Sequence, residues 1–318
     1  MSSNDEQLQE LLKQPPVPTR RPTVPEMEER LFVPVPLLDH GFVRVVDYMG
    51  NDAAVVQAAR VSYGAGTRSV RNDRGLLRYL MRHRHSTPFE MCEIKLHVKL
   101  PIFIARQWIR HRTANVNEYS ARYSILDREF YLPTPSNLAQ QSDSNRQGRD
   151  QVLSPEQSAH VLELLRRDAM QTYDTYETLL NDKGDGEPVD DGSPQLAREL
   201  ARMNLTVNYY TQWYWKVDVH NLLHFLSLRM DSHAQYEIRV YADAIAEMLK
   251  AWMPITYEAF SDYRMGSQHF SREEMGLLCK MLQGGDPDVL LPASGLSFRE
   301  RKRMRDVLEL GPPKRKED

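Results

Sequence analysis

Residues 106–124, which read RQWIRHRTANVNEYSARYS, hold the densest group of side chains that could do chemistry. Within thirteen residues lie three guanidiniums, an imidazole and several other hydrogen-bonding groups: Arg110, His111, Arg112, Asn117, Glu118, Ser120 and Arg122. So many polar side chains do not suit a protein core. The guanidiniums would repel one another unless anions lay between them, and the planar arginine fork binds phosphate through two hydrogen bonds. The segment therefore predicts a site for a phosphorylated ligand.

Asn117 and Glu118 add donors and acceptors that could orient an arginine or contact the edge of a heterocycle. The alternative is a solvent-exposed helix end with surface ion pairs, which is the commoner meaning of an isolated Arg-His-Arg triplet. The extended pattern favours the ligand site.

Three motifs in a fixed order carry a resemblance to a known family. RHRTANVNEYS at residues 110–120 resembles the signature of the flavin-dependent thymidylate synthases, and HSTPFE at 85–90 and LRMDSHAQYEI at 228–238 resemble two further motifs of that family. The resemblance covers residues 40–262. Two positions depart from the common pattern: Asn115 replaces a serine, and Ala121 replaces a glycine. Asn115 can still form hydrogen bonds, and Ala121 still has a backbone N–H.

The resemblance implies an enzyme that methylates dUMP to dTMP, with FAD as cofactor, NADPH as reductant and 5,10-methylenetetrahydrofolate as the one-carbon donor. The residues implied to bind the cofactor are His85, Thr87, Arg110, His111, Arg112, Glu118, Asp218, His220 and His224. Those implied to bind the nucleotide are Gln107, Glu118, Ser120, Ala121, Arg122, Glu199, Arg202 and Arg229. Those implied to act at the reacting groups are Arg229, Ser120 and His85. The cofactors then carry the difficult electronic steps, and the protein supplies positioning and electrostatics.

The implied fold is α+β, with a small, largely antiparallel sheet packed against long helices, assembled as a homotetramer with FAD sites between subunits. No GxGxxG motif follows a predicted strand, so a Rossmann unit for FAD is not expected.

Other chemistries fit these residues less well. Cys92 and Cys279 could be nucleophiles, but their apolar surroundings predict buried, inert thiols. Ser120 has no recognisable base and orienting acid, so it is interpreted as a ligand contact. A metal-dependent hydrolase would use His83, His85, His97 and His111, but arginines surround them instead of acidic ligands, and no metal site is predicted.

The alternative function is a single-stranded nucleic-acid-binding protein, in which basic residues lie among stacking aromatic side chains. The aromatic residues concerned are Tyr119, Tyr123, Tyr209, Tyr210, Trp213 and Tyr214. We consider nucleic-acid binding the weaker interpretation, because the family motifs account for the same basic residues.

The elements that must position these residues follow from local patterns. Strands are predicted at 42–47 and at 93–100, where Ile94, Leu96, Val98 and Leu100 alternate with Glu93, Lys95, His97 and Lys99. A strand-like WKVDV follows at 215–219, and 135–153 is predicted to be a loop. Helices are predicted at 52–60 with Asp52 as its cap, at 70–84, at 101–110 with Pro101 first, and at 155–180, 195–213, 220–229, 233–252 and 271–282.

The sequence divides into three predicted segments. Residues 1–36 are proline-rich and predicted to be a flexible, extended arm. Residues 37–264 are the predicted catalytic domain, with 135–194 as a variable insertion that contains a helix. Residues 265–318 form an extension of unknown role, whose basic tail at 299–305 and 314–316 is more typical of a solvated surface than of a nucleic-acid or partner site.

Composition sets the broad class of protein. The chain has 318 residues and a formal net charge of −3, yet residues 60–128 hold 14 Lys or Arg against 5 Asp or Glu, which suits anionic ligands. The two cysteines lie in no CxxC or disulfide pattern. No stretch approaches the ~18 apolar residues of a membrane helix, and the first residues do not resemble a secretory signal. A cytoplasmic protein without membrane contact is expected.

Overall fold

The computed structural model describes residues 3–15, 17–61, 73–143, 148–182 and 186–310. The chain forms two compact units, Met1–Ser261 and Asp262–Asp318. The second unit begins close to the predicted boundary at residue 265, but the roles assigned to the segments stay predictions. None of the helices in the described residues is long and apolar enough to cross a membrane.

The first unit contains a five-stranded sheet in the order β1-β2-β3-β7-β4, with every pair of neighbours antiparallel. The strands are β1 (Val35–Leu37), β2 (Gly41–Met49), β3 (Glu93–Pro101), β4 (Asn115–Glu118) and β7 (Tyr210–Asp218). A separate hairpin joins β5 (Ala139–Gln141) and β6 (Arg149–Val152). The α+β prediction is therefore confirmed.

Helices surround this sheet. In chain order they are α1 (Ser3–Lys13), α2 (Pro25–Glu28), α3 (Asp52–Val61), α4 (Asp73–Arg82), α5 (Thr87–Glu90), α6 (Ile102–Trp108), α7 (Pro155–Leu180), α8 (Arg198–Ala201), α9 (Val219–Arg229), α10 (Tyr236–Trp252) and α11 (Pro254–Phe260). The aromatic core includes Trp108 on α6, which lies edge-on to Trp213 and Trp215 of β7 and stacks on Phe225 of α9. These three elements thus share the packing that fixes the arginine-rich segment after α6.

The strand β3 follows the predicted alternation, because Ile94, Leu96, Val98 and Leu100 are all buried. His97 on the opposite face differs from the prediction, since it is buried as well. Its Nδ1 lies 3.0 Å from Nε of Arg44, and its Nε2 lies 3.0 Å from Oε1 of Gln212. Polar partners on the two neighbouring strands therefore satisfy a side chain that the pattern had placed in solvent.

The predicted helix over 195–213 is wrong. Only α8 and a 3-10 turn at Arg202–Asn204 are helical there, and residues from Tyr210 onward belong to β7. Along β7, buried residues alternate with partly exposed ones, and Trp213, Trp215 and Val217 lie on the buried side. Aromatic and β-branched residues with a period of two favour a strand, and this pattern extends upstream from the predicted strand at 215–219 into the predicted helix.

Asp52 caps a different helix from the one predicted. Asn51 Oδ1 accepts the Ala54 N–H at the start of α3, whereas Asp52 accepts the backbone N–H groups of Ile255 and Thr256, each at 2.9 Å, at the start of α11. Pro101 ends β3 and precedes the first residue of α6, which ends at Trp108 rather than at residue 110. The helix predicted from residue 233 begins at Tyr236.

The N-terminal segment is not simply an extended arm, since it contains α1 and α2 and buries Leu8 and Met27. The predicted loop at 135–153 contains the β5–β6 hairpin. The predicted helix at 70–84 begins at Asp73 in the described chain, and Val70 lies outside the described residues.

The second unit contains α12 (Arg272–Leu282), α13 (Pro287–Leu290) and α14 (Phe298–Val307) around a core of Leu277, Leu291, Leu296 and Met304. The predicted helix at 271–282 is confirmed. The basic run at 299–305 lies on α14, where Arg303 pairs with Glu274 and Arg305 with Asp288, so it is not a freely solvated tail. The basic residues at 314–316 lie outside the described residues.

Candidate active site

His111 is the centre of the first cluster of predicted site residues. Its Nε2 accepts a hydrogen bond from Nε of Arg229 at 3.1 Å, and its ring lies edge-on to Phe225 at 5.0 Å. Burial, followed by the positive charges of Arg229 and His224, lowers the pKa of His111 to about 4. The imidazole is therefore neutral near pH 7, and because Nε2 accepts, Nδ1 carries the proton.

Arg229, the last residue of α9, connects the motif at 228–238 to the motif at 110–120. Its Nη2 donates to the backbone oxygen of Gln107 at 3.4 Å, in addition to the bond with His111. Burial lowers the pKa of Arg229, although an arginine keeps its charge in proteins. The cluster thus presents a partly buried cation that has only neutral protein partners in the described ranges, which is an arrangement that favours an anionic or polarisable ligand.

The turn at Ser120 forms the second cluster. Ser120 Oγ accepts the backbone N–H of Arg122 at 3.3 Å, and Arg122 pairs with Glu199 on α8 at 3.0 Å. Arg202, at the end of α8, is exposed, and its guanidinium has no hydrogen bond or ion pair with any described residue. It is therefore not the mid-helix arginine that the sequence suggested. Ser120, Arg122, Glu199 and Arg202 nonetheless come from two segments that the structure brings together.

The helix α7 packs against the chain that follows Ser120. Ala121 is buried in a cluster with Leu126, with Tyr173, Tyr176 and Leu180 of α7, with Ala201 of α8 and with Tyr209, which precedes β7. Tyr173 donates its hydroxyl to the Leu126 carbonyl at 2.7 Å, and Tyr176 accepts the Leu126 N–H at 3.3 Å. The predicted insertion thus contributes to the base of the site.

Arg110 and Arg112 follow α6 and are both exposed. Neither guanidinium has a hydrogen bond or ion pair within the described parts of the chain. Two adjacent cations without a protein counter-charge fit a ligand with a pyrophosphate group.

Glu118 lies on β4, an edge strand whose four residues are exposed, and its Oε1 accepts the hydroxyl of Thr211 at 2.8 Å. Asp218 is the N-cap of α9, with its carboxylate bound to the backbone and the side-chain amide of Asn221 at 2.9 and 2.7 Å. That amide's oxygen accepts the Thr113 hydroxyl at 2.7 Å, so the end of β7 is held to the segment after Arg112. Asp218 is therefore already engaged as a helix cap.

His85 and Thr87 lie in a separate turn. Arg84 adopts a left-handed conformation (φ 59°) that ends α4, and His85 and Thr87 follow it as exposed residues. No hydrogen bond or ion pair joins either residue to the other predicted site residues where the structure describes both partners. Of the two helix-α9 histidines, His224 is exposed and lies 5.8 Å from the His111 ring, whereas His220 is half-buried.

A row of side-chain hydrogen bonds that the sequence did not predict leads away from Gln107. Gln107 Nε2 donates to Gln235 Oε1, and Gln235 Nε2 donates to Glu237 Oε2 at 2.9 Å. Glu237 is buried and pairs with Arg149 of β6. Gln235 and Glu237 lie within the motif at 228–238, so the sequence does mark them as candidate site residues. Nothing in the sequence marks Arg149 as the partner of Glu237.

Beside this row lies a cavity of about 530 Å³. It is lined by Ala139, Gln140, Gln141, Gly148, Arg149, Ser232, His233, Ala234, Gln235, Tyr236 and Arg239. The cavity lies between the β5–β6 hairpin and the segment that leads into α10, and Gln235 and Arg149 of the row are among its lining residues.

The two cysteines differ in burial, which bears on whether either could act as a nucleophile. Cys92 is buried, and burial raises the pKa of its thiol to about 11, so it is a poor nucleophile. Cys279 is exposed, contrary to the prediction, and belongs to the second unit.

Tyr209, Tyr210 and Trp213 are buried, so they offer no stacking platform for nucleic-acid bases. In the described ranges, no three His, Cys, Asp or Glu side chains meet in an arrangement that could hold a metal ion.

Comparisons with known proteins identify the family and the fold of the chain. The family described as "Thymidylate synthase complementing protein" matches residues 44–255. Proteins named flavin-dependent thymidylate synthase from Ruegeria pomeroyi and Gluconobacter oxydans are 60% and 62% identical over 291 residues, which span 92% of this chain and 93% and 92% of theirs. The crystal structure of a UMP/dUMP methylase, PolB from Streptomyces cacaoi, bound with 5-Br dUMP, has a TM-score of 0.62 and 34% identity, covering 72% of this chain and 98% of that one.

The fold and the motifs thus define a nucleotide-methylating class of enzyme with a thymidylate synthase-complementing fold. The chain belongs to the family of flavin-dependent thymidylate synthases.

Proposed function

We propose that the protein methylates dUMP to dTMP, with FAD as its cofactor, NADPH as reductant and 5,10-methylenetetrahydrofolate as co-substrate. The observation that carries the proposal is a set of arginine side chains without a carboxylate partner among the described residues, in the segments that form the His111 and Ser120 clusters: Arg110, Arg112, Arg202 and Arg229. The identity of 54–62% to relatives named flavin-dependent thymidylate synthase supports the same activity. The PolB structures bound with 5-Br UMP and 5-Br dUMP support a pyrimidine nucleotide as substrate.

The nucleotide phosphate is proposed to bind at the Ser120 turn. Arg122 and Arg202 supply positive charge there, and Ser120 and the backbone of Ala121 supply hydrogen-bond donors. Glu199 holds Arg122 in place through their ion pair, which leaves the remaining guanidinium N–H groups available. Gln107 and Arg229 are proposed to contact the sugar or base, with the charge of Arg229 polarising the uracil ring.

The residues proposed to hold the flavin fit an anionic dinucleotide. Arg110 and Arg112 present two unpaired cations for its pyrophosphate, and neutral His111 presents Nδ1–H as a donor. His85, Thr87, Glu118, Asp218, His220 and His224 complete the proposed set. When bound and reduced, the flavin supplies the hydride that completes the new methyl group. The protein's own task is to align the nucleotide and one-carbon donor and to keep His111 neutral beside Arg229.

A homotetramer with sites shared between subunits is part of the proposal. The edge strand β4 leaves backbone groups available for another chain. Large apolar side chains are also exposed, namely Tyr123 beside the Ser120 turn at 77% and Met203 and Val207 after α8 at 71% and 63%. His85 and Thr87, which bond to none of the other site residues in the described chain, would then complete a site on another subunit.

The deciding experiment measures dTMP formation from dUMP, methylenetetrahydrofolate and NADPH with and without added FAD. We expect a yellow protein whose activity is lost when the flavin is stripped and restored when FAD is added back. A colourless protein that neither binds FAD nor forms dTMP in its presence would contradict the proposal. Binding of single-stranded DNA that falls steeply with salt, without any flavin dependence, would support the nucleic-acid alternative instead.

A further inference from the structure

The row of hydrogen bonds that runs from Glu237 to Gln107 begins at an ionised carboxylate. Glu237 is only 2% exposed, and its two oxygens lie 2.7 and 2.5 Å from Nη2 of Arg149. The Tyr131 hydroxyl donates to the same carboxylate at 3.1 Å. Burial opposes ionisation, but the hydrogen bond and charge of Arg149 outweigh it and hold the pKa of Glu237 below its ordinary value. Glu237 is therefore a group that only accepts hydrogen bonds.

The acceptor character of Glu237 fixes the next two amides. Gln235 must turn its Nε2 towards Glu237, which leaves Gln235 Oε1 on the opposite side. Gln107 must then turn its own Nε2 towards that oxygen. Gln107 Oε1 is left without a hydrogen-bond partner among the described residues. An isolated glutamine could present either its amide oxygen or its amide nitrogen to a ligand. In this row, the buried charge of Glu237 determines that Gln107 presents the oxygen.

We propose that Glu237, acting through Gln235, is a positioning residue that makes Gln107 present its amide oxygen to the bound nucleotide. The inference rests on the proposed function in placing dUMP against Gln107, and it adds the reason why that side chain has one polarity. A dUMP molecule offers few hydrogen-bond donors, namely the pyrimidine N3–H and the sugar 3′-hydroxyl, so an acceptor of fixed direction selects for one of them. Arg149, from the β5–β6 hairpin, keeps the row in this polarity because it keeps Glu237 ionised.

The Glu237→Gln variant tests the polarity of the row with little change in shape. The new amide keeps an oxygen for Arg149 and Tyr131 but turns an N–H towards Gln235, which then reverses and makes Gln107 present its nitrogen. The Gln107→Glu variant places two acceptors, the new carboxylate and Gln235 Oε1, against each other. In the double variant the reversed Gln235 can donate to that carboxylate, so every hydrogen bond of the row is satisfied again and an oxygen faces the nucleotide.

The double-mutant cycle is measured in the full-length protein, by dUMP affinity with FAD present and by urea unfolding without nucleotide. We expect each single change to weaken dUMP binding by about tenfold or more, and the double variant to lose about tenfold less than the product of the two single losses. In urea, the unfolding midpoint of the double variant should fall by less than the sum of the decreases in the two single variants. The matched control is Tyr131→Phe, which removes a hydrogen bond to Glu237 but leaves Glu237 an acceptor. When it is combined with Gln107→Glu, the loss of dUMP affinity should equal the product of the two single losses, with no recovery.

The two measurements separate the possible failures. No recovery in urea overturns the relay, because the row would then have no fixed polarity. Recovery in urea without recovery in dUMP affinity overturns the role of Gln107 towards the nucleotide. If the parent protein does not bind dUMP at all, the proposed function fails and the positioning role towards dUMP fails with it, while the urea cycle still decides whether the row has a fixed polarity.

Discussion

Arg112 and Arg202 are both exposed arginines whose guanidiniums have no partner in the described residues, yet the proposed function gives them different ligands. Arg112 lies beside Arg110 after α6, whereas Arg202 lies at the end of α8 beside the ion pair of Arg122 and Glu199. A charged hydrogen bond contributes about 1.5–3 kcal/mol, which corresponds to a change of roughly ten- to a hundredfold in affinity.

We therefore expect Arg112→Ala to weaken FAD binding by about tenfold or more, with smaller effects on dUMP, and Arg202→Ala to show the reverse pattern. Flavin absorbance after gel filtration and titration with dUMP provide the two readouts. Arg167→Ala, which removes an equal charge from the surface of α7, should change neither. Equal losses of both ligands in both variants would argue that the arginines act only through the overall field of the protein.

His111 makes folding sensitive to acid. Its pKa falls from 6.5 to about 4 on folding, so between these pH values the unfolded chain binds more protons than the folded protein. Stability contributed by the neutral imidazole is therefore complete above pH 6.5 and is lost as the pH falls towards 4. Solvent screening reduces the effect, and we expect a contribution on the order of 1–2 kcal/mol.

The test is urea unfolding of the parent and of His111→Gln at pH 7 and pH 4.5. The variant keeps an acceptor for Arg229 but cannot titrate, so its stability should fall less on acidification than that of the parent. The control is His160→Gln, at an exposed position of α7. Its stability should fall as much as that of the parent between pH 7 and pH 4.5. Identical pH dependence in all three proteins would show that His111 is not held neutral by the fold.

At the scale of elements, local patterns predicted those whose signal lies within one stretch of chain. The alternation along β3 and the periodicity of α7 are strong local signals, and both elements form as predicted. The strand β7 was predicted in part only, because residues 210–213 were assigned to the end of the predicted helix at 195–213, although Trp213, Trp215 and Val217 recur with the period of two of a strand. Its partners β3 and β4 lie far away in the sequence, so the pairing that sets the full length of the strand cannot be predicted from the local stretch alone.

The site could be predicted to the extent that its residues share a motif. Residues 107–122 lie together because one turn and one short strand carry them. Glu237 and Arg149 are 88 residues apart, and no local rule pairs an acidic residue near a helix start with an arginine in a hairpin. The same holds for Asp52, which resembles the cap of its own helix but binds the start of α11.

The helix α7 is predicted to stabilise the Ser120 turn through the hydroxyl of Tyr173. That hydroxyl donates to the Leu126 carbonyl inside a buried cluster, so Tyr173→Phe leaves a buried acceptor unsatisfied. We expect a loss of about 1 kcal/mol in the free energy of unfolding and a severalfold weaker affinity for dUMP, with FAD affinity less affected.

Urea unfolding and dUMP titration measure the two effects. Tyr257→Phe on α11 is the control, since its hydroxyl has no hydrogen bond with any described residue. If Tyr173→Phe lowered stability but left dUMP affinity unchanged, α7 would support the fold without supporting the site.

At the scale of the whole molecule, two separate cores stabilise one chain. Met248 on α10 is 3% exposed within the first unit, and Met304 on α14 is 0% exposed within the core of the second. All of the residues proposed to bind nucleotide and flavin belong to the first unit. Substitutions of buried methionine by alanine cost about 2–5 kcal/mol through lost contacts and the cavity that remains.

We therefore expect Met248→Ala to lower the unfolding transition at which flavin absorbance is lost, and Met304→Ala to lower a separate transition that leaves the flavin bound. Thermal unfolding followed by far-UV circular dichroism and by flavin fluorescence distinguishes the two transitions, because only the second signal depends on the ligand. A single transition that both variants lower equally would mean that the two cores unfold as one cooperative unit. In that case the C-terminal extension would contribute directly to the stability of the site, because losing its core would cost the catalytic unit the same free energy.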